Sequence, residues 1–400
     1  MKILEINTEA TMASPGRIAC ELGRVFEEKG HEVVIAYGRG ESPKDLKSIK
    51  IGTDLDVKIH GIKTRIFDNV GFNSKKATID FLEKVKEYDP DVIHLHNLHG
   101  YYINIEILFN YLKEANKKVI WTLHDCWAFT GHCAYFDYIG CEKWKKRCYN
   151  CPQKNSYPSS KIFDNSESNY QKKKKLFTGI KDLTIVTPSK WLAGLVKESF
   201  LGEYRIKVIN NGIDTEIFKP TASNFRKEYN IGNKKVILGV ANIWTERKGY
   251  KYFEKLAKEL DSNKNQIVLV GKMNKNQIKS MPKEIIWIKQ TNNAKELAKI
   301  YTAADIFFNP TLEDNYPTVN LESLACGTPI ITFNSGGSPE VITDTYLGKV
   351  IGKKSCIDKI KEEINKSLEM LIEVQEKNNI RSYSENLCKH SKFKEYLGII

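Results

Sequence analysis

Long apolar runs are missing from this chain. No stretch of about 18 uninterrupted apolar residues occurs, so nothing reads as a membrane-spanning helix. The opening MKILEIN passes from Lys2 straight into a strand-like run, without the longer apolar stretch and small-residue cleavage site of a secretory signal. The expected compartment is therefore the cytoplasm. No RNA-binding signature or zinc-finger helix accompanies the basic residues, and no nucleic-acid partner is expected. The turn after the first strand lacks G-x-G-x-x-G, which argues against a nicotinamide-type dinucleotide site.

What is present suits a globular protein of two or three domains: 400 residues, 41% hydrophobic and 28% charged. The net charge of +13 favours anionic partners, although a solvated Lys-rich surface accounts for much of it. Two dense basic runs, Lys143-Trp144-Lys145-Lys146-Arg147 and Lys172 to Lys175, are candidates for an anionic membrane surface. Trp144 could settle at such a lipid–water interface.

Short β-branched runs alternate with helical patterns, as buried parallel strands and their crossover helices should. The first series is Ile3–Asn7, Glu32–Tyr37, Asp91–His96, Val119–Leu123, Leu183–Thr187 and Lys207–Ile209. A helix with Ile18, Leu22, Val25 and Phe26 on one face, closed by Gly30, separates the first two, and Ser189 is placed to cap another. The series restarts with Lys235–Ala241, Gln266–Val270, Ile285–Lys289, Asp305–Asn309, Pro329–Phe333 and Lys349–Ile351. Phe253, Leu256, Ala257 and Leu260 mark a helix within it. The expected fold is α/β, two doubly wound parallel-sheet domains whose strand ends face a common cleft. Their expected extents are 1–218, with a Cys-rich insert at 126–151, and 219–375. A helical tail, 376–400, follows, with return to the first domain left open. Ile357, Ile360, Ile364, Leu368 and Leu371 have helical spacing, and residues 155–171 read as a loop or irregular insert.

The candidate chemistry lies at strand ends. The turn Thr11-Met12-Ala13-Ser14-Pro15-Gly16-Arg17 opens a helix and offers free N–H groups to an anion, or is a plain tight turn. His94, His96, Asn97 and His99 lie at or just past the end of one strand, and His124 and Asp125 at that of another; four histidines together favour a site over isolated structural ones. Arg247-Lys248-Gly249 sets two cations at a helix start, as a diphosphate requires. Glu313-Asp314-Asn315-Tyr316-Pro317-Thr318 then leads into a helix carrying Glu322, and Ser335-Gly336-Gly337-Ser338-Pro339-Glu340 follows. Acids there can accept hydrogen bonds from ribose and sugar hydroxyls.

The stretch EDNYPTVNLESLACGTPIITFNSGGSPE, with the strand pattern around it, resembles the family 4 (group 1) glycosyltransferases of GT-B fold over nearly the whole chain. The resemblance implies a retaining transfer from a UDP-, GDP- or related nucleotide sugar to a carbohydrate or lipid-linked acceptor. It points to surface-polysaccharide assembly, from the cytoplasm or from the inner face of the membrane. It implies that Glu322 holds the ribose, that Asp314, Asn315, Tyr316, Pro317 and Thr318 meet the sugar and diphosphate, and that Lys248 is the diphosphate lysine. Gly16 takes the place of the glycine loop, and His124, beside Asp125, that of the active-site histidine; His96, Asn97 and His99 fall on the acceptor side. An arginine common six residues before that lysine is Asn242 here, shifting weight to Arg247. The family uses no catalytic metal, and the leaving diphosphate takes the acceptor proton in a front-face displacement. A nucleotide-sugar 2-epimerase, a phosphorylase or a non-catalytic binding protein on the same fold are the alternatives.

Four of the nine cysteines, Cys133, Cys141, Cys148 and Cys151, crowd together. Thiols in a reducing compartment point to structural zinc, with free thiols or disulfides as the alternative, and Cys126 and His132 are spare ligands.

Overall fold

The computed structural model describes residues 1–11, 13–353, 355–370, 380, 382, 383 and 385–400. Met12, Leu371 and the expected boundary at 375/376 lie outside the described residues. Two compact units are present: Met1–Asn210 with Phe393–Ile400, and Asn211–Lys392.

The first unit holds seven strands, β1 (Lys2–Glu9), β2 (Glu32–Arg39), β3 (Lys47–Lys50), β4 (Val92–Leu95), β5 (Lys118–Thr122), β6 (Leu183–Thr187) and β7 (Arg205–Val208). They run parallel in the order β3-β2-β1-β4-β5-β6-β7. The second holds β8 (Lys235–Ile243), β9 (Asn265–Lys272), β10 (Ile285–Ile288), β11 (Ile306–Asn309), β12 (Ile330–Phe333) and β13 (Gly348–Ile351). These too are parallel, in the order β10-β9-β8-β11-β12-β13. Each is a doubly wound order whose direction reverses between its first and fourth strands, β1/β4 and β8/β11, where open α/β sheets bind ligands.

Alternating strand residues feed cores on both faces of each sheet. Leu4 and Ile6 pack on one face of the first sheet while Ile3, Ile35 and Ile120 pack on the other. The helix Ala13–Glu28 buries Ile18, Leu22, Val25 and Phe26 on that second face, and Gly30 closes it at a φ of 81°. Ser189 caps the helix Lys190–Glu198 by accepting from the Leu192 amide at 3.1 Å. In the second unit, Val236 and Leu238 oppose Ile237 in the same way. The helix Tyr250–Glu259 buries Phe253, Leu256 and Ala257, and Ile357–Met370 buries Ile360, Ile364 and Leu368.

Three features differ from the sequence expectations. Strand β3 has too little apolar content to announce itself, because only one of its edges is paired. Residues 166–171, read as irregular, open the helix Ser166–Phe177, whose buried Tyr170, Lys173, Leu176 and Phe177 lie at helical spacing. The division between units falls at Asn210/Asn211, with the sequence join placed at 218/219. Its source is a stitch between residues 211–218 and 387–389. Ile213 donates to the Leu387 carbonyl and accepts from the Lys389 amide, both at 2.9 Å, and Phe218 lies in the second core. The last residues go the other way: Phe393, Tyr396 and Ile399 pack against the first sheet.

Candidate functional site

At the β1/β4 reversal a buried carboxylate organises the histidines. Glu5 lies within β1 and is paired in register with His94 of β4. One Glu5 oxygen accepts from His94 Nδ1 at 3.0 Å and the other from His96 Nε2 at 2.7 Å. Burial opposes the Glu5 charge, but His94 and His96 outweigh it and hold the carboxyl down at about 2. Burial, aided by the charge of His94, brings His96 down to about 4, so its ring is neutral near pH 7. With Nε2 donating to Glu5, the Nδ1 of neutral His96 must accept, and its neighbour at 3.1 Å is His124 Nε2. His124 thus carries its proton on Nε2 and a lone pair on Nδ1. Its surroundings also push its pKa well below the usual value, burial first and His96 next, although part of its surface stays accessible. Thr122 closes the far side, its hydroxyl lying 2.8 Å from His94 Nε2 and 3.1 Å from the Tyr396 hydroxyl.

His99 is held separately, with Nε2 at 2.8 Å from Asp125 and Nδ1 at 3.0 Å from the Tyr157 hydroxyl. Burial works against the Asp125 charge, yet His99 and the Trp127 amide keep it below the usual carboxylate range. The Asn97 carbonyl accepts from Thr8 at 3.0 Å and from Tyr102 at 2.9 Å, and the Asn97 amide donates to Asn7 at 3.1 Å. Gly16 fits where it does because a Cβ there would stand 2.7 Å from the Glu9 carbonyl oxygen. The structure therefore brings together His96, His124, Asp125 and His99. Both nitrogens of His96 are occupied and the residue is 1% exposed, so it stands behind His124. Glu5, Tyr157 and Tyr396 went unmarked in the sequence. Glu5 alone left a signal, an acid inside the apolar run KILEIN.

The β8/β11 reversal is built from charge. Arg247 and Lys248 follow β8, and Lys248 Nζ lies 2.5 Å from Asp314, which follows β11. Arg247 stands 3.9 Å from the same carboxylate and donates to the Glu313 carbonyl. Burial pulls Lys248 down, with Arg247 acting the same way and Asp314 opposing; for Asp314, burial is overcome by the two cations, which keep it ionised. The loops are pressed together: the Leu312 amide donates to the Arg247 carbonyl at 2.7 Å, and a Cβ on Gly249 would meet the Pro310 oxygen at 2.2 Å. Gly336, at a φ of 58°, leaves no room for a Cβ, which would fall 1.9 Å from the Asp314 carbonyl oxygen.

Asn315 and Tyr316 are buried beside this pair, and Pro317 and Thr318 begin the helix Thr318–Ala325. Glu322 lies within it, 6% exposed, accepting from the Tyr301 hydroxyl at 3.2 Å. Asn320 ties the helix to the glycine turn, donating to the Ser338 carbonyl and hydroxyl at 3.0 and 3.1 Å. Asn242, in the place of the expected arginine, is an exposed residue of β8.

The basic runs are in part paired or buried. Trp144 is 2% exposed, packed on Phe129 and Phe136, and cannot meet lipid as the sequence suggested. Lys145 is bridged to Glu142 and Glu198, Arg147 to Glu167, and Lys173 is buried. No helix among the described residues is long and apolar enough to cross a membrane. Among them, only Glu5, His94 and His96 place three potential metal-ligand atoms within 4.8 Å of one another, and these are already bonded to each other.

Residues 16–217 match the model of Glycosyltransferase Family 4, and residues 221–386 that of Glycosyl transferases group 1. The chain is 27% identical over 378 residues, 89% of each protein, to WcaC of Escherichia coli (strain K12), a glycosyl transferase assigned to colanic acid biosynthesis. Among solved structures it is similar to sucrose-phosphate synthase from Thermosynechococcus elongatus, with a TM-score of 0.75 and 15% identity over 99% of this chain and 97% of that one. Anabaena HepE in complex with UDP-glucose matches with a TM-score of 0.67 and 12% identity, over 100% of this chain and 98% of that one. The paired parallel-sheet units are those of the GT-B fold, and the chain belongs to family 4 (group 1) of the glycosyltransferases.

Proposed function

We propose that this glycosyltransferase moves a sugar from a nucleotide-sugar donor to a carbohydrate or lipid-linked acceptor during assembly of a surface polysaccharide, with retention and without a catalytic metal. The observation that carries the donor half is the Arg247–Lys248 pair at the β8/β11 reversal. Two cations meet at one carboxylate there, the kind of groups that hold a diphosphate. Likeness to WcaC supports the polysaccharide assignment, and the UDP-glucose complex of HepE supports a nucleoside diphosphate sugar as donor.

On this reading the second unit binds the donor, Glu322 taking the ribose and residues 314–318 the sugar and diphosphate, and the first unit receives the acceptor. The donor C1–O bond to diphosphate breaks, the acceptor oxygen bonds to C1 on the same face, and the acceptor proton passes to the leaving diphosphate. Arg247 and Lys248 stabilise the charge that grows on it. His124, neutral with a lone pair on Nδ1, suits a hydrogen bond from a sugar hydroxyl, and Glu5 and His96 fix that tautomer. Attachment to an anionic membrane surface, from the cytoplasmic side, would rest on the exposed Lys146, Lys172, Lys174 and Lys175.

A thermal-shift screen of UDP-, GDP- and ADP-sugars, followed by transfer assays on the stabilising donor, tests the proposal. Transfer with retained anomeric configuration in the presence of EDTA is expected. Inversion, or activity lost to EDTA and restored by magnesium or manganese, would overturn the mechanism. Donor turnover without any acceptor would point to an epimerase.

A further inference from the structure

Between β5 and the helix Ser166–Phe177 the chain forms no strand or α-helix, only the short turns Trp127–Phe129, Asp137–Ile139 and Lys143–Lys145. Its four clustered cysteines nevertheless converge. The thiols of Cys133 and Cys151 interact, and with Cys141, Cys148 and His132 they line a single void of about 10 Å³. That is about the room of one water molecule or one metal ion.

Two neighbouring features suit anionic sulfur. The Gly131 amide donates to the Cys148 sulfur at 3.2 Å, as backbone amides do for metal-bound thiolates. Only glycine permits this approach, since a Cβ would lie 1.9 Å from the Ser166 oxygen and 2.8 Å from Cys148 Cβ. The second feature is Lys173, 1% exposed, whose Nζ donates to the Trp127 and Thr130 carbonyls at 2.8 and 3.1 Å and sits 3.4 Å from the Trp127 ring centre. Its hydrogen bonds go to carbonyls, and a buried ammonium is costly without negative charge nearby. Cys148, Asp68 and Cys133 are groups whose negative charge would act on it.

We propose that Cys133, Cys141, Cys148 and Cys151 bind one zinc ion as a structural tetrathiolate centre, with Lys173 as its buried counter-charge. The four thiols release their protons to solvent on binding, and the resulting centre carries two net negative charges, which Lys173 partly neutralises. As placed, no three of these sulfurs fall within 4.8 Å of one another, while zinc–sulfur bonds of about 2.3 Å set neighbouring sulfurs about 3.8 Å apart. Binding therefore draws the set together around the void. The centre cross-links, within itself, a segment that has little regular structure of its own. His132, anchored on buried Asp68, lies against the same void.

Elemental analysis and thiol alkylation of the full chain, purified under reducing conditions, test the proposal. About one zinc per chain should survive dialysis. Cys133, Cys141, Cys148 and Cys151 should alkylate only after a strong chelator is added, whereas the exposed Cys356 reacts at once. Cobalt substitution should give the charge-transfer absorption of thiolate ligation. Cys148→Ser with Cys151→Ser should lower bound zinc at least about fivefold, and Cys356→Ser should leave it unchanged. Metal-free protein whose four thiols alkylate in the native state, or a Cys133–Cys151 disulfide in their place, would overturn the proposal. The alkylation arm uses the wild type, so it decides even if the double variant fails to fold.

Discussion

At the reversal of the first sheet, imidazoles gather on one buried carboxylate; at the reversal of the second, an arginine and a lysine share one aspartate. The strand order is common to both, so topology sets the place of a site and leaves its chemistry to a few side chains. The first arrangement ends in a neutral ring, a group suited to hydroxyls. The second ends in shared positive charge, suited to phosphate.

The sharpest way to break this contrast is to remove a cation. Lys248→Ala should cut transfer by about a hundredfold, the scale of losing a charged contact to a developing anion. Unchanged turnover, with folding verified by circular dichroism, would take Lys248 out of the site.

Acid should expose the first unit's dependence on neutral rings. The unfolded chain protonates His96 and His60 below 6.5, whereas the folded chain resists until about 4 and about 3. Protons therefore favour unfolding across that window, and stability is lost as pH falls from 6.5. Glu5 acts in the same direction lower down, its stabilisation present above 4.5 and lost as pH falls toward about 2. Melting temperatures should thus decline from about pH 6.5, before ordinary carboxylates titrate. A flat profile down to about pH 5 would contradict the buried neutral imidazoles.

The smallest effect concerns the surface. Replacing Lys146, Lys172, Lys174 and Lys175 by Gln should weaken sedimentation with anionic vesicles at low salt, at about 1 kcal/mol per lysine or less. Transfer to a soluble acceptor should stay within about twofold, since surface charges contribute little. Vesicle binding that is absent in the wild type would remove the membrane from the account.

The second site was the more legible in the sequence because its groups sit in short contiguous motifs, Arg247–Gly249, Glu313–Thr318 and Ser335–Glu340, at the ends of recognisable apolar strands. The first was read only in part. His96, His124 and Asp125 stand at strand ends, but the residues that hold the ring network and its neighbours come from far apart: Glu5 from β1, Tyr157 from the insert, Tyr396 from the chain's end. Only the sheet order and the return of the tail bring them together. Trp144 misled for a related reason: its flanking lysines reach the surface while the ring turns inward onto Phe136, so the local sequence looks exposed.

Calorimetric titration of the nucleoside diphosphate of the active donor into wild type, Lys248→Ala and Glu5→Gln tests the division of labour most directly. Affinity should be at least about tenfold weaker in Lys248→Ala, as loss of a charged hydrogen bond implies. In Glu5→Gln the affinity should hold within about twofold while transfer falls by about tenfold or more, because the change is to the His94, His96 and His124 network and not to the cations. Undiminished binding in Lys248→Ala, or an equal loss of diphosphate affinity in Glu5→Gln, would contradict it.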